Sequence, residues 1–305
     1  MTDFVLGVDA GGTSTRALAV DADGGVLGTG RAGGANPNSH PPEEAAANLA
    51  AAIRQAAPDP GRAAACVIGM AGTAKLTDPA VAELFERTWH DLGMHRVLIL
   101  TDAEVAFASA TDAPDGTVLI AGTGSIAGRI RKRRMVATEG GYGWLLGDEG
   151  SGFWLGREAV RATLAALGRD AELGPLATAV LAEAGVDPTD RHYAWRRLIT
   201  VANAEAPVRL ARFAPLVAAD DPVAADIVER GADLLVATAM AAREPGEDTP
   251  VVLVGSVLGN ASRVGDRVRA KLSGLEVRSS SDGVFGAAWL AAVDAFGEAV
   301  ARRPH

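Results

Sequence analysis

Two aspartates stand where a carboxylate can do chemistry. Asp102 ends a short apolar run at 97–100 and precedes a helix-compatible run at 103–110. The carboxyl end of a strand in an open α/β sheet is where ligands bind. A carboxylate there can accept the proton of a substrate hydroxyl, and it equally suits the N-cap of the following helix. Asp9 closes the apolar run Phe4–Ala10 and leads into Gly11-Gly12-Thr13. The N–H groups of such a turn, with the Thr13 hydroxyl, suit phosphate oxygens. Asp9 suits a hydrated Mg²⁺, which prefers one or two carboxylates plus phosphate and water. The plainer reading is a glycine turn with a solvated aspartate.

A second turn of this kind, Gly122-Thr123-Gly124-Ser125, follows the apolar run at 117–121. A dinucleotide fingerprint would need a helix next. An alternating run at 126–130 follows instead, so a Rossmann site is excluded, and the Gly-Lys-Ser/Thr ending of a P-loop is absent. Gly255, Ser256 and Asn260 follow a third apolar run at 250–254, in a loop that suits a nucleoside or serves only to connect strand and helix. The densest stretch is 140–152, with six glycines, Tyr142, Trp144 and the adjacent acids Asp148 and Glu149. Glycine admits positive φ and close ligand approach. The stretch is a polar binding loop or a long turn capped by Asp148 or Ser151.

Elements that position these residues follow from periodicity. Strands at 4–10, 14–20 and 26–31 form a meander with a hairpin turn at 21–25. A helix at 41–57, with Glu43 and Glu44 in its first turn, a strand at 64–70, a helix at 78–92, the strand at 97–100 and the helix at 103–110 complete β-β-β-α-β-α-β-α by about residue 112. The opening pattern then recurs: a strand at 117–121, a Gly/Thr turn, a strand, a basic turn at 131–134 and a strand at 135–138. The recurrence reads as an internal duplication. The expected division is 1–112 and 113–305, the second lobe carrying a helical insertion at about 165–245, with a helix at 208–218 among its parts. Helices at 260–272 and 284–296 close the chain.

Composition narrows the function classes. The 305 residues favour two domains, and 48% hydrophobic content supplies a full core. A net charge of −9 argues against nucleic acid as a partner. The single cysteine, Cys66, lies in an apolar run, and the five histidines are scattered without ligand spacing. One chain therefore builds no disulfide framework or cysteine-rich metal site. No basic leader precedes the first strand and no apolar run approaches a membrane span. A soluble, cytoplasmic protein without membrane contact is expected.

Taken in order, Asp9-x-Gly-Gly-Thr13, Thr101-Asp102, Gly122-Thr-Gly-Ser125, Gly141-Tyr-Gly-Trp-Leu-Leu-Gly-Asp148-Glu-Gly-Ser151 and Val-Gly255-Ser256 resemble the N-acetylglucosamine kinase branch of the BadF/BadG/BcrA/BcrD ATPase family. The resemblance covers nearly the whole chain and is least diagnostic over 165–245. It implies an α/β fold of two ribonuclease-H-like (actin-like ATPase) domains with an interdomain cleft, and ATP and Mg²⁺ as cofactors. Gly11, Gly12, Thr13 and Thr123 would hold the phosphates, with Asp9 on Mg²⁺ through water. Asp102 would be the general base on the 6-hydroxyl of N-acetylglucosamine. Asn36, Ser125, Gly141, Tyr142, Gly143 and Asp148 would bind the sugar, and Gly255, Ser256 and Asn260 would line the adenosine side. A homodimer is common among such relatives. One departure stands out: mammalian N-acetylglucosamine kinases carry Asn after the Gly-Thr-Gly-Ser turn, where this chain has Ile126. Glucosamine and N-acetylmuramic acid are alternative substrates. An ATP-driven electron activator or a non-catalytic sugar sensor are alternatives of a different class.

Overall fold

The computed structural model describes residues 3–169, 172–280 and 282–304. The first sheet comprises β1 (Phe4–Ala10), β2 (Ser14–Asp21), β3 (Val26–Gly33), β4 (Cys66–Met70) and β5 (Val97–Thr101), in the order β3-β2-β1-β4-β5. β1, β2 and β3 pair antiparallel, whereas β4 and β5 run parallel to β1. Strands covered on both faces read as continuous apolar runs, and alternation sends their side chains to two cores. Leu6, Val8 and Ala10 pack with Leu49 and Ile53 of helix α1 (Pro42–Ala56) and Phe85 and Trp89 of α2 (Pro79–Asp91). Val5 and Val67 face the other way, towards Val105 and Ala108 of α3 (Asp102–Ala110).

The second sheet contains β6 (Gly116–Ala121), β7 (Ser125–Arg131), β8 (Arg134–Gly140), β9 (Val251–Val254) and β10 (Val277–Ser279). Its order, β8-β7-β6-β9-β10, repeats that of the first sheet strand for strand, so the expected duplication of architecture is present. The connection from β8 to β9 is expanded into α4 (Gly143–Leu146), α5 (Gly152–Gly168), α6 (Pro175–Glu183), α7 (Arg191–Asn203) and α8 (Pro222–Ala241). α9 (Arg263–Lys271) joins β9 to β10, and α10 (Gly283–Phe296) ends the fold. The expected insertion at 165–245 includes 170 and 171, which lie outside the described residues.

Two helices of the second unit depart from the sequence expectation, one in type and one in where it starts. Residues Pro207–Ala218 form a 3₁₀ helix in place of an α-helix. Pro215 within it has no N–H to give and its ring clashes with the preceding turn of an α-helix. The segment also lies backbone-close to α5, since a Cβ on Gly156 would come 1.9 Å from the Leu210 carbonyl oxygen. The helix expected at 260–272 starts only at Arg263, because Ser262 caps it: its Oγ accepts from Gly265 N at 3.3 Å and donates to the Val257 carbonyl at 2.6 Å. Asn260 is therefore a loop residue.

The chain divides into two compact units, Met1–Asp115 with Ile130–Met135 and Ser280–His305, and Gly116–Arg129 with Val136–Ser279. A single cut at residue 112 misplaces α10, which belongs to the first unit. Glycine explains the placement. A Cβ on Gly7 would sit 2.1 Å from the Ala288 nitrogen, so only glycine in β1 lets the α10 backbone lie against the strand. Among the described residues no helix is long and apolar enough to cross a membrane.

Candidate functional site

In the first unit, the residue that caps α3 is Thr101, one place before Asp102. Thr101 accepts from Glu104 N, and the Glu104 side chain accepts from Thr101 N, a complete capping box. The cap reading of Asp102 is thereby removed. Asp102 Oδ1 accepts the neighbouring Ala103 N at 3.0 Å, and the backbone N–H of Asp102 itself also acts on the carboxylate. By surface area Asp102 is exposed. The protein around it is nevertheless dense enough that burial raises its carboxyl above the ordinary aspartate value, and the backbone N–H groups of Ala103 and of Asp102 itself offset this only in part. An outward carboxylate with raised basicity is suited to accept a proton.

The turn at 11–13 is closed by Gly11 N on the Ser14 carbonyl at 3.0 Å. His40 Nε2 donates to the Gly12 carbonyl at 2.7 Å. The N–H groups of Gly12 and Thr13 have no partner among the described residues. Exposed, adjacent N–H groups of this kind form an anion cradle. Ala35 N on the Gly11 carbonyl (2.9 Å) brings the Asn36 loop beside the turn. Asn36 Oδ1 is taken by Asn38 N at 2.8 Å, leaving its amide N–H groups to donate.

Asp9 stands in a charge network that sequence reasoning missed. Arg16 bridges Asp9 Oδ2 at 2.5 Å and Asp282 Oδ2 at 2.6 Å. Burial pushes the Asp9 carboxyl up; Arg16 pulls it down without cancelling that, and Asp282 and Asp102 add to the rise. The Asp102 charge therefore reaches Asp9. Gly283, the first residue of α10, leaves room for the Asp9 carboxylate, which would be 3.2–3.3 Å from any Cβ there. Asp282-Gly283 before an apolar run was legible as a helix cap, but nothing in the sequence joined it to Asp9, 273 positions away (282 − 9).

In the second unit, a cavity of about 610 Å³ is lined by Gly122, Thr123, Ser256 and Asn260. Gly255 brings its two turns together: its Cβ would lie 2.3 Å from the Ala121 carbonyl oxygen. The opposite wall is apolar, from Ala211, Ala214 and Pro215 of the 3₁₀ helix, residues read from the sequence only as helix. Asn260 Oδ1 receives Arg269 Nη2 at 3.0 Å. Arginine only donates, so the Asn260 amide presents N–H groups elsewhere and suits an acceptor on a ligand.

The glycine loop forms a second cluster in this unit. Asp148, at φ 55°, accepts Ser125 N through Oδ1 at 3.0 Å, while Ser125 Oγ donates to the Glu149 carbonyl at 2.9 Å. Ser151 caps α5, so Asp148 is not the cap. Gly141 N reaches the Ser125 carbonyl at 3.0 Å. A Cβ on Gly141 would meet Ile126 Cδ1 at 2.7 Å, so Ile126 lies directly beneath the loop. Residues 143–146 form the short α4, and Tyr142, Leu145 and Leu146 are exposed. Ser125, Gly141 and Asp148 are thus brought together; Tyr142 and Gly143 lie on the outer part of the same loop.

Asp148→Ala is expected to cost about 1–3 kcal/mol by leaving the buried Ser125 N–H unsatisfied. Asp148→Asn keeps an acceptor and tolerates positive φ, so its thermal midpoint should stay near that of the parent. Equal midpoints for the Ala and Asn variants would refute the structural role of this bond.

The BadF/BadG/BcrA/BcrD ATPase family model matches residues 6–291. The chain belongs to that family. An N-acetylmuramic acid/N-acetylglucosamine kinase of Clostridium acetobutylicum is 33% identical over 165 residues, 53% of this chain and 53% of that protein. An N-acetyl-D-glucosamine kinase of Dictyostelium discoideum is 29% identical over 179 residues, 54% of this chain and 55% of that protein. The match thus spans about half the length of these curated relatives. Among solved structures, a candidate N-acetylglucosamine kinase of Chromobacterium violaceum superposes with a TM-score of 0.71 at 28% identity, over 95% of this chain and 99% of that one. A ROK family glucokinase of Streptomyces griseus, solved with glucose and AMPPNP, gives 0.57 at 21% identity over 94% and 99%, a likeness of fold. The α/β fold of two ribonuclease-H-like domains expected for the family is the one observed.

Proposed function

We propose that this chain is an ATP-dependent aminosugar kinase that phosphorylates the 6-hydroxyl of N-acetylglucosamine. The observation that carries the proposal is Asp102: relieved of capping by Thr101, outward-facing and raised in basicity. Asp102 takes the proton of the sugar hydroxyl. Gly11, Gly12, Thr13 and Thr123 bind the phosphates, and the Ser256–Asn260 side of the second unit's cavity takes the adenosine. Asn36, Ser125, Gly141, Tyr142, Gly143 and Asp148 contact the sugar.

The residues around Asp9 fit a hydrated Mg²⁺. Asp9 Oδ1 has no partner among the described residues, and two further carboxylates act on Asp9 against the one guanidinium of Arg16. Among the described residues no cluster of three metal-ligating side chains exists. The ion, when bound, supplies charge neutralisation at the transferring phosphoryl group.

The electron-activator alternative needs cysteine thiolates. Cys66 is buried in β4 with its thiol pushed up to about 12, which leaves it protonated. N-acetylmuramic acid stays a second substrate reading, favoured by the name of the clostridial relative, an N-acetylmuramic acid/N-acetylglucosamine kinase, and by apolar Ile126 under the loop.

The test is ADP release from Mg·ATP with N-acetylglucosamine, N-acetylmuramic acid, glucosamine, N-acetylmannosamine, glucose or water. Release that depends on N-acetylglucosamine is expected. Dependence on N-acetylmuramic acid alone moves the assignment to that sugar, and equal release with and without sugar overturns the kinase proposal.

A further inference from the structure

Glu104 is the buried acid nearest the proposed base in sequence and has no part in the chemistry above. It is 4% exposed. Its Oε2 accepts Thr101 N at 2.6 Å and Thr101 Oγ1 at 2.9 Å. Its Oε1 accepts Arg134 Nε and Met135 N, each at 2.9 Å. A capping box uses the first oxygen alone. Here the second holds the first two residues of β8, which fall in the same unit as α3. The four donors occupy both carboxylate oxygens, and one of them is a guanidinium, so the charge is compensated in its buried place.

From this geometry we infer that Glu104 is a positioning residue for Asp102. The inference rests on the assignment of Asp102 as the base. Glu104 is anchored to β8 on one side. On the other it pins both the N–H and the hydroxyl of Thr101, the residue from which Asp102 directly follows. Thr101 is thereby held at φ −71° and ψ 155°, which fixes the direction in which the Asp102 side chain leaves the backbone. A cavity of about 270 Å³ beside Thr101, Glu104 and Met135 gives Thr101 room to shift once that hold is lost.

The test is a double-mutant cycle. In Glu104→Gln the side chain has one acceptor oxygen, which stays on Arg134 and Met135, and its amide then meets the Thr101 N–H donor against donor. The expected result is a fall in kcat of roughly 10- to 100-fold, the scale of a misplaced catalytic group, with KM for ATP and sugar little changed. Combined with Asp102→Asn, Glu104→Gln is expected to add nothing, because the group it positions is already disabled. Parental kcat in Glu104→Gln overturns the inference, as does an equal further loss in the Asp102→Asn background. Near-parental turnover in Asp102→Asn alone overturns the base assignment instead. Should Glu104→Gln fail to give a cooperative melt, Thr101→Val removes one arm of the same hold with a side chain of equal shape. It is expected to lower kcat selectively, with Thr101→Ser restoring it; parental kcat in Thr101→Val is equally decisive against the inference.

Discussion

Asp102→Asn is expected to lower kcat by about 10²- to 10⁴-fold, the range typical of a lost general base, while the aminosugar still binds. Stability should change little. The cap of α3 is built from Thr101 and Glu104, and an asparagine oxygen can keep the bond that Asp102 Oδ1 makes with Ala103 N. The loss is therefore assignable to proton transfer. The pH profile gives a second reading of the same residue. Burial raises the Asp102 carboxyl, so the base is protonated as pH falls through a value above the usual aspartate range. The acid limb of kcat/KM in the parent should lie there, and it should vanish from the residual activity of the variant. Steady-state kinetics with calorimetric sugar binding check both statements. Parental turnover in the variant removes Asp102 from the base role.

Gly255→Ala should damage the second unit's cavity and leave the rest of the fold intact. Gly255 sits at φ 99° and ψ 164°, a region open almost only to glycine, where another residue costs about 1–3 kcal/mol. Its new Cβ would also lie 2.3 Å from the Ala121 carbonyl oxygen and 3.3 Å from Gly122 N. Relief requires the loop to move off the end of β6, separating Ser256 from Thr123. A lower melting temperature and at least a tenfold weaker nucleotide affinity are expected, tenfold being about 1.4 kcal/mol. Gly259 lines the same cavity, but its Cβ would make only ordinary contact, 3.4 Å from the Ser256 carbonyl oxygen. Gly259→Ala should therefore stay near the parent in stability. Undiminished nucleotide affinity in Gly255→Ala would show that this loop does not form the nucleotide wall.

The sequence alone determined the repeating architecture, because strand alternation, glycine turns and helix starts are local signals. The two meanders, the Gly-Gly-Thr and Gly-Thr-Gly-Ser turns and the strand-end placement of Asp102 were all legible in this way. So was the motif order that places the chain in its family. Local signals left three matters open. Asp102 and Thr101 are both adequate N-caps by type, and the choice fell to Thr101 because Glu104, anchored by Arg134 and Met135, reaches back to it. The 3₁₀ helix was hidden because residues 208–218 carry helical periodicity, overridden by Pro215 and the close approach at Gly156. Finally, α10 belongs with the first strands, and Arg16 joins Asp9 to Asp282 across the chain. Such pairings depend on which apolar faces meet in three dimensions. Gly7 reads in the sequence as an unremarked strand glycine, and only packing against Ala288 reveals why no other residue fits there.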